Sequence, residues 1–111
     1  MMAHVLYAED DDGCYTSVEL ILRLEGYTIS RAKDGAEAVE VARNLYQLND
    51  LSLIIMDLAL PKLTGLDAVK KIREFAPNLP IMALTAYGVG SALEKCTQAG
   101  FDFYTQKPFN T

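Results

Sequence analysis

The chain carries little basic charge and no long apolar run, and both shortages exclude classes of function. Ten Lys and Arg stand against fifteen Asp and Glu, so the formal net charge is -5. A surface of this sign repels polyanions, which excludes nucleic-acid binding through a basic patch. Apolar runs stay well below the roughly 20 residues that cross a bilayer, and the start of the chain does not have the pattern of a secretory signal. We therefore expect a cytoplasmic protein without membrane contact.

Cysteine and histidine are also scarce. The two cysteines, Cys14 and Cys96, stand far apart without a CxxC or Cys/His ligand spacing, so the sequence predicts two reduced thiols rather than a disulfide framework or a zinc site. The one histidine, His4, begins the first apolar run, where we expect a structural role. With 111 residues, half of them apolar, the chain can close one core, and we expect one domain over residues 1–111.

Five short runs rich in apolar residues alternate with helical patterns. The predicted strands are residues 4–8 (HVLYA), 28–32 (TISRA), 51–56 (LSLIIM), 80–84 (PIMAL) and 101–105 (FDFYT). Apolar residues at three- and four-residue spacing predict a helix ending at Gly26, a second beginning at Asp34 and Gly35, a third over 66–73 and a fourth over 91–99 before Gly100. Such alternation predicts parallel strands joined by crossovers, with helices on both faces of the sheet.

Polar residues close four of the five predicted strands. They are Glu9, Asp10 and Asp11 after the first strand, Asp57 after the third, Thr85 after the fourth and Lys107 after the fifth. Carboxyl ends of parallel strands meet at one edge of the sheet, where open α/β sheets bind their ligands. Crowded carboxylates repel one another unless a cation lies among them, and oxygen ligands suit Mg²⁺ or Mn²⁺.

Asp57 comes directly out of an apolar strand and is the candidate nucleophile. The metal ion and Lys107 would offset the negative charge of a phosphoryl group on Asp57, and the Thr85 hydroxyl would donate a hydrogen bond to it. A nucleophile, a metal ion, a cation and a hydrogen-bond donor are the parts of a phosphoryl-transfer site. Each residue alone has an ordinary reading as a turn, cap or surface residue, and Asp11 or Asp12 can cap the first helix. Their joint placement at strand ends favours a site.

Several short motifs of this chain resemble those of the receiver domains of two-component response regulators. They stand in the family's order and near its spacing, and they cover nearly the whole chain. They are Glu9 with Asp10, Gly26 with Tyr27, the turn 32–35 (AKDG), Asp57 with Pro61 and Gly65, Thr85 with Ala86, and Lys107 with Pro108 and Phe109. The resemblance implies an α/β, flavodoxin-like, doubly wound parallel sheet of five strands in the order 2-1-3-4-5.

The resemblance also implies roles for single residues. Asp57 would be the phosphoacceptor, Asp10 a direct metal ligand, Glu9 a ligand through water, Ala59 a ligand through its carbonyl, and Lys107 and Thr85 the partners of the phosphoryl oxygens. Tyr104 would be the switch aromatic that turns inward as Thr85 shifts, with the small Ala86 leaving room. By itself, an aromatic in an outer strand is ordinary packing. The bond from Lys107 to Pro108 is commonly cis in relatives, which would orient the lysine.

The function implied is a phosphorelay receiver rather than an enzyme. A partner histidine kinase or phosphotransfer protein would supply the phosphoryl group, and the altered surface would bind a downstream protein. The stronger alternative is a pseudo-receiver that binds partners without phosphorylation. A haloacid-dehalogenase-type phosphatase should carry a second Asp where Ala59 stands. A flavodoxin should carry a phosphate-binding loop after the first strand, but the acidic residues 9–12 stand there and would repel the phosphate.

The sequence ends at Thr111, where most receiver domains continue into a fifth helix. We expect a chain truncated before that helix, or else a homodimer or partner that supplies the cover. Without that helix we expect Phe103 or Phe101 to face water or another chain.

Overall fold

The computed structural model describes residues 3–85 and 91–107, which form five strands and four helices. The strands are β1 (His4–Ala8), β2 (Thr28–Ala32), β3 (Leu53–Asp57), β4 (Ile81–Thr85) and β5 (Phe103–Gln106). The helices are α1 (Asp12–Leu24), α2 (Gly35–Gln47), α3 (Gly65–Arg73) and α4 (Ser91–Ala99). All neighbouring strands are parallel, and their order is β2-β1-β3-β4-β5. The predicted fold class and strand order are confirmed.

Three strands lie one or two residues further along the chain than predicted, because backbone pairing rather than apolar character sets their ends. Leu51 and Phe101 are apolar because they pack on the core, not because they belong to a strand. Pro80 has no N–H to donate to the ladder. Asp57 is polar, but it pairs with Leu84 and is the last residue of β3. With these corrections Asp57 and Thr85 are the last residues of β3 and β4, and Lys107 directly follows β5.

The sheet has a core on each face. Side chains alternate along β1, so that Val5 and Tyr7 pack with α1 while Leu6 and Ala8 pack with α2, α3 and α4. All four are fully buried, as expected for a central strand with both faces covered. Within the described residues, every helix is too short or too polar to cross a membrane.

The α1 face is less covered over the last two strands. Met82 of β4 is partly buried, and its neighbour Phe103 of β5 is 54% exposed. Phe101, by contrast, is buried in the opposite core. Of the two phenylalanines considered from the sequence, Phe103 is therefore the exposed one.

Side chains at the helix starts satisfy backbone N–H groups that have no partner within the helix. The Asp11 carboxylate accepts from the Cys14 N–H at 2.8 Å, so Asp11 rather than Asp12 caps α1. Asp34 accepts from the Glu37 N–H at 2.7 Å at the start of α2. These hydrogen bonds lower the pKa of both caps below the ordinary value for aspartate.

The two scarce residue types have structural places. Cys14 and Cys96 are free thiols, the first partly exposed in α1 and the second buried in α4. The His4 ring bridges to the next strand, with one nitrogen beside the Thr28 hydroxyl and the other 2.7 Å from the Ser30 hydroxyl. His4 thus joins β1 to β2 at the edge away from the acidic strand ends.

Arg73 ties together the loops that enter β4 and β5. Its Nε donates to the Gly100 carbonyl at 2.9 Å, and its Nη1 donates to the carbonyls of Ala76 and Leu79 at 2.9 and 2.6 Å. Its Nη2 lies 2.7 Å from a carboxylate oxygen of Asp102. One mostly buried guanidinium therefore satisfies three backbone carbonyls and one carboxylate.

We expect Arg73→Met to lower the free energy of unfolding by about 3 kcal/mol, because methionine removes the donor to three backbone carbonyls and leaves the Asp102 carboxylate with the Ile81 N–H but without its cation. Urea unfolding measures the loss. Arg23→Met is the matched control, since Arg23 makes an exposed pair with Glu19 that should contribute at most about 0.5 kcal/mol. Equal losses in the two variants would contradict a structural role for the Arg73 contacts.

Candidate functional site

The carboxyl ends of four strands bring the candidate residues to one edge of the sheet. Asp57 ends β3 and Thr85 ends β4, while Glu9 and Lys107 directly follow β1 and β5. The Glu9 N–H bonds to the Ala32 carbonyl at 2.9 Å, and the Lys107 N–H bonds to the Thr85 carbonyl at 2.6 Å. These bonds continue the sheet ladder one residue further, so the backbone of both site residues is fixed.

Three carboxylates crowd at this edge. One oxygen from each of Glu9, Asp10 and Asp57 lies within 4.8 Å of the others. Glu9 is fully buried and Asp57 is 5% exposed, whereas Asp10 faces solvent. Like charges this close repel strongly in a poorly solvated place, so the cluster needs positive charge nearby.

Lys107 supplies part of that charge. Its Nζ lies 2.8 Å from Glu9 Oε1 and 3.1 Å from Asp57 Oδ2. Burial by itself lowers the pKa of Lys107, but the hydrogen bonds to Glu9 and Asp57 and their charges outweigh it and raise the pKa above its ordinary value. Three ionised carboxylates and this one ammonium sum to a charge of -2. A divalent cation would neutralise the remainder.

Hydrogen bonds hold the Glu9 carboxylate on both oxygens. Oε1 accepts from the Tyr7 hydroxyl at 2.9 Å as well as from Lys107, and Oε2 accepts from the Asp11 N–H at 3.3 Å. Burial raises the pKa of Glu9 above its ordinary value, the neighbouring Asp57 raises it further, and the bonds from Lys107 and Tyr7 act against the rise. A cation beside Glu9 would favour its charged form.

The loop after β3 fixes Asp57. Its Oδ1 accepts from the Ala59 N–H at 3.1 Å, so the loop turns back toward the carboxylate. The loop closes where the Gly65 N–H bonds to the Leu58 carbonyl at 3.1 Å. A Cβ on Gly65 would lie 2.4 Å from the Asp57 carbonyl oxygen, so this close approach requires glycine.

The structure brings most of the predicted residues together. Thr85 is buried one position beyond Leu84, the register partner of Asp57. Ala59 is exposed in the loop beside the acids. Tyr104 lies in β5 opposite Ala83 and is partly buried against the core on the side of α2, α3 and α4. The predictions for Ala86, Pro108 and Phe109 concern positions outside the described residues.

Sequence reasoning missed Tyr7 and Arg31, which both contact Glu9. Tyr7 stands two residues before Glu9, so both side chains leave β1 on the same face, and this spacing is a signal that could have been used. Arg31 is the register partner of Tyr7 in β2, which the sequence alone does not show. Burial raises the pKa of Tyr7, and the nearby Glu9 raises it further, so the hydroxyl stays protonated as a donor.

Comparison with known proteins identifies the family. The model of the response regulator receiver domain family matches residues 5–111. Response regulator MprA of Mycobacterium sp. (strain KMS) is 32% identical over 109 residues, which are 98% of this chain and 46% of that protein. The chain spans less than half the length of the curated relatives that it matches.

Two solved structures show the same fold. The receiver domain of sensor histidine kinase PA1611 from Pseudomonas aeruginosa PAO1, with a magnesium ion coordinated in its active site cleft, is 36% identical at a TM-score of 0.87, over 99% of this chain and 88% of that one. The Saccharomyces cerevisiae complex of the phosphotransfer protein Ypd1 with the Ssk1 receiver domain gives 32% identity at a TM-score of 0.84, over 98% and 81%. The chain belongs to the response regulator receiver domain family.

Proposed function

We propose that this chain is a phosphorelay receiver in which Asp57 accepts a phosphoryl group from a phosphohistidine of a partner protein. One observation carries the proposal. Asp57 is a buried carboxylate at a strand end, 3.1 Å from the Lys107 ammonium and within 4.8 Å of Glu9 and Asp10. A nucleophile, a cation and a set of hard oxygen ligands in one place are what metal-assisted phosphoryl transfer requires.

The donor set fits Mg²⁺ or Mn²⁺. All the side-chain donors are carboxylate oxygens, which these hard cations prefer, and the set retains a charge of -2 after Lys107 is counted. Asp10 and Asp57 would bind the ion directly, Glu9 through a water molecule, and Ala59 through its backbone carbonyl. The magnesium ion in the PA1611 receiver domain supports this assignment. A bound ion supplies positive charge for the transferring phosphoryl oxygens.

Asp57, Lys107 and Thr85 have separate roles in the transfer. A carboxylate oxygen of Asp57 attacks phosphorus, the bond from phosphorus to the imidazole nitrogen breaks, and the imidazole leaves with the electron pair. Lys107 donates to one phosphoryl oxygen and the Thr85 hydroxyl to another, so the charge brought by the phosphoryl group is offset at the edge of the sheet. Water later hydrolyses the acyl phosphate, and the chain assists only its own modification.

Partners and output follow from this reaction. A histidine kinase or phosphotransfer protein is the donor, as the Ypd1 complex with a receiver domain supports. Movement of Thr85 and Tyr104 toward the phosphoryl group would alter the α4 and β5 surface for a downstream protein in the cytoplasm. A homodimer would cover the strip of Met82 and Phe103, the latter 54% exposed. A pseudo-receiver is less favoured, because the complete acidic set and Lys107 are together.

The proposal predicts gain of one phosphoryl group by the wild type in Mg²⁺ and acetyl phosphate, measured by intact mass. Asp57→Asn should gain none, because the amide is not a nucleophile for phosphorus, and EDTA should prevent the gain in the wild type. Asp67→Asn is the matched control, since Asp67 is an exposed acid in the first turn of α3. A folded wild type without any mass gain would instead support the pseudo-receiver.

A further inference from the structure

We infer that Tyr7 is a positioning residue that holds the Glu9 carboxylate toward the metal site, an inference that rests on the proposed function. The Tyr7 side chain is fully buried and its hydroxyl donates to Glu9 Oε1 at 2.9 Å. Tyr7 lies in β1, and Glu9 directly follows it and continues its ladder, so a spacing of two residues puts both side chains on the same face of the sheet.

Glu9 needs such a restraint more than an aspartate would. Its longer side chain has one more rotatable bond, and fixing a rotamer costs conformational entropy unless contacts hold it. In the proposed reaction Lys107 turns to a phosphoryl oxygen, which weakens its 2.8 Å contact with Glu9 Oε1. The Tyr7 hydroxyl remains on that same oxygen and keeps a buried acceptor satisfied.

The Tyr7 ring is itself fixed. It stacks on Tyr15 of α1 with ring centroids 5.4 Å apart and planes 17° from parallel. The Arg31 guanidinium lies 4.4 Å from the Tyr15 ring centroid. Arg31 Nε then donates to the Glu9 carbonyl at 3.1 Å. The same stack therefore holds both the side chain and the backbone of Glu9.

Arg31 also contacts Asp12. Its Nη2 lies 2.9 Å from Asp12 Oδ1, close enough for an ion pair although the N–H does not align for a hydrogen bond. The guanidinium is mostly buried and Asp12 is mostly exposed, so this pair adds little to stability, and the contacts of Arg31 with Tyr15 and the Glu9 carbonyl hold it in place. The turn from Glu9 into α1 is thereby tied to β2.

If the Tyr7 hydroxyl is only structural, its removal changes the stability of the protein and nothing else. If it positions Glu9, its removal also changes the affinity for the metal ion. Tyr7→Phe separates the two, because it removes one oxygen and keeps the ring. We expect it to weaken Mn²⁺ binding, measured by calorimetric titration without a phosphodonor, by about threefold, less than the loss of a partner of a direct ligand causes, because Glu9 itself acts through a water molecule. Glu9→Gln should weaken binding by itself, and adding Tyr7→Phe to it should cause little further loss.

Tyr46→Phe is the control, since it removes a hydroxyl from the surface of α2. Its Mn²⁺ affinity should equal that of the wild type. Urea unfolding of each variant shows that the variant is folded under the conditions of the titration. Wild-type affinity in Tyr7→Phe, or an equal loss that persists in full in the Glu9→Gln background, would overturn the inference and leave the proposed function standing. Failure of the folded wild type to bind Mn²⁺ would overturn both.

Discussion

Lys107→Met is expected to lower the free energy of unfolding in metal-free buffer by about 3 kcal/mol, because it leaves two buried carboxylates without their cation. The Lys107 ammonium lies 2.8 Å from Glu9 and 3.1 Å from Asp57, and both acids are almost fully buried. Phosphoryl uptake should fall below detection as well, since the partner of one phosphoryl oxygen is lost. Urea unfolding and intact mass measure the two effects.

A second substitution and added Mg²⁺ test whether the loss of stability in Lys107→Met comes from the charges of the buried carboxylates. Glu9→Gln in the Lys107→Met background should recover part of the lost stability, because one buried negative charge is removed. Saturating Mg²⁺ should also recover part of it, since a ligand that binds only the folded state stabilises it. Lys70→Met, at an exposed position of α3, is the control and should change stability by less than about 0.5 kcal/mol. A stable, phosphorylatable Lys107→Met protein would refute the assigned role.

Gly65→Ala is expected to cost about 3 kcal/mol of stability and to slow phosphoryl uptake about 100-fold. The added Cβ would lie 2.4 Å from the Asp57 carbonyl oxygen and 2.9 Å from Leu58 Cα. Both are backbone atoms at the end of β3 and the start of the loop after it, so relief of the clash displaces α3 from this loop, and we expect part of the shift to fall on Asp57. The measurements are urea unfolding and the initial rate of mass gain with acetyl phosphate.

Gly26→Ala is the matched control. Gly26 follows α1 with φ +92°, and a Cβ there would meet nothing within 4 Å. Alanine at this φ should cost about 1 kcal/mol through backbone strain alone, and the uptake rate should stay at the wild-type value. Equal rates in Gly65→Ala and Gly26→Ala would show that the close approach of α3 does not position Asp57.

Much of the fold could be predicted because local sequence patterns indicate where strands lie and where helices end. The continuous apolar run before Asp57 suits a strand covered on both faces, and Gly26 and Gly100 end helices with positive φ. Strand order is not a property of any local pattern, so the order 2-1-3-4-5 came from the resemblance. The ends of β3, β4 and β5 depend on pairing partners, which apolar character does not reveal.

The candidate site was predictable where it follows from topology alone. Parallel strands place Glu9, Asp57, Thr85 and Lys107 at one edge whatever the side-chain rotamers are. The spacing of Tyr7 and Glu9 places both on one face, but their 2.9 Å hydrogen bond, like the close approach of Gly65 to Asp57, depends on side-chain and backbone positions that the sequence does not show. Arg73 illustrates the same limit: its sequence position indicates only the end of α3, whereas its side chain joins loops that lie far along the chain.

Asp57 as the phosphoacceptor is best tested by chemical location of the phosphoryl group. Wild-type protein phosphorylated in Mg²⁺ would be reduced with borohydride, which converts an aspartyl phosphate to homoserine, then digested and sequenced by mass spectrometry. We expect homoserine at position 57 and unmodified aspartate at Asp10, Asp11 and Asp12. Homoserine at one of those three positions, or phosphate retained on a serine or threonine after reduction, would contradict it.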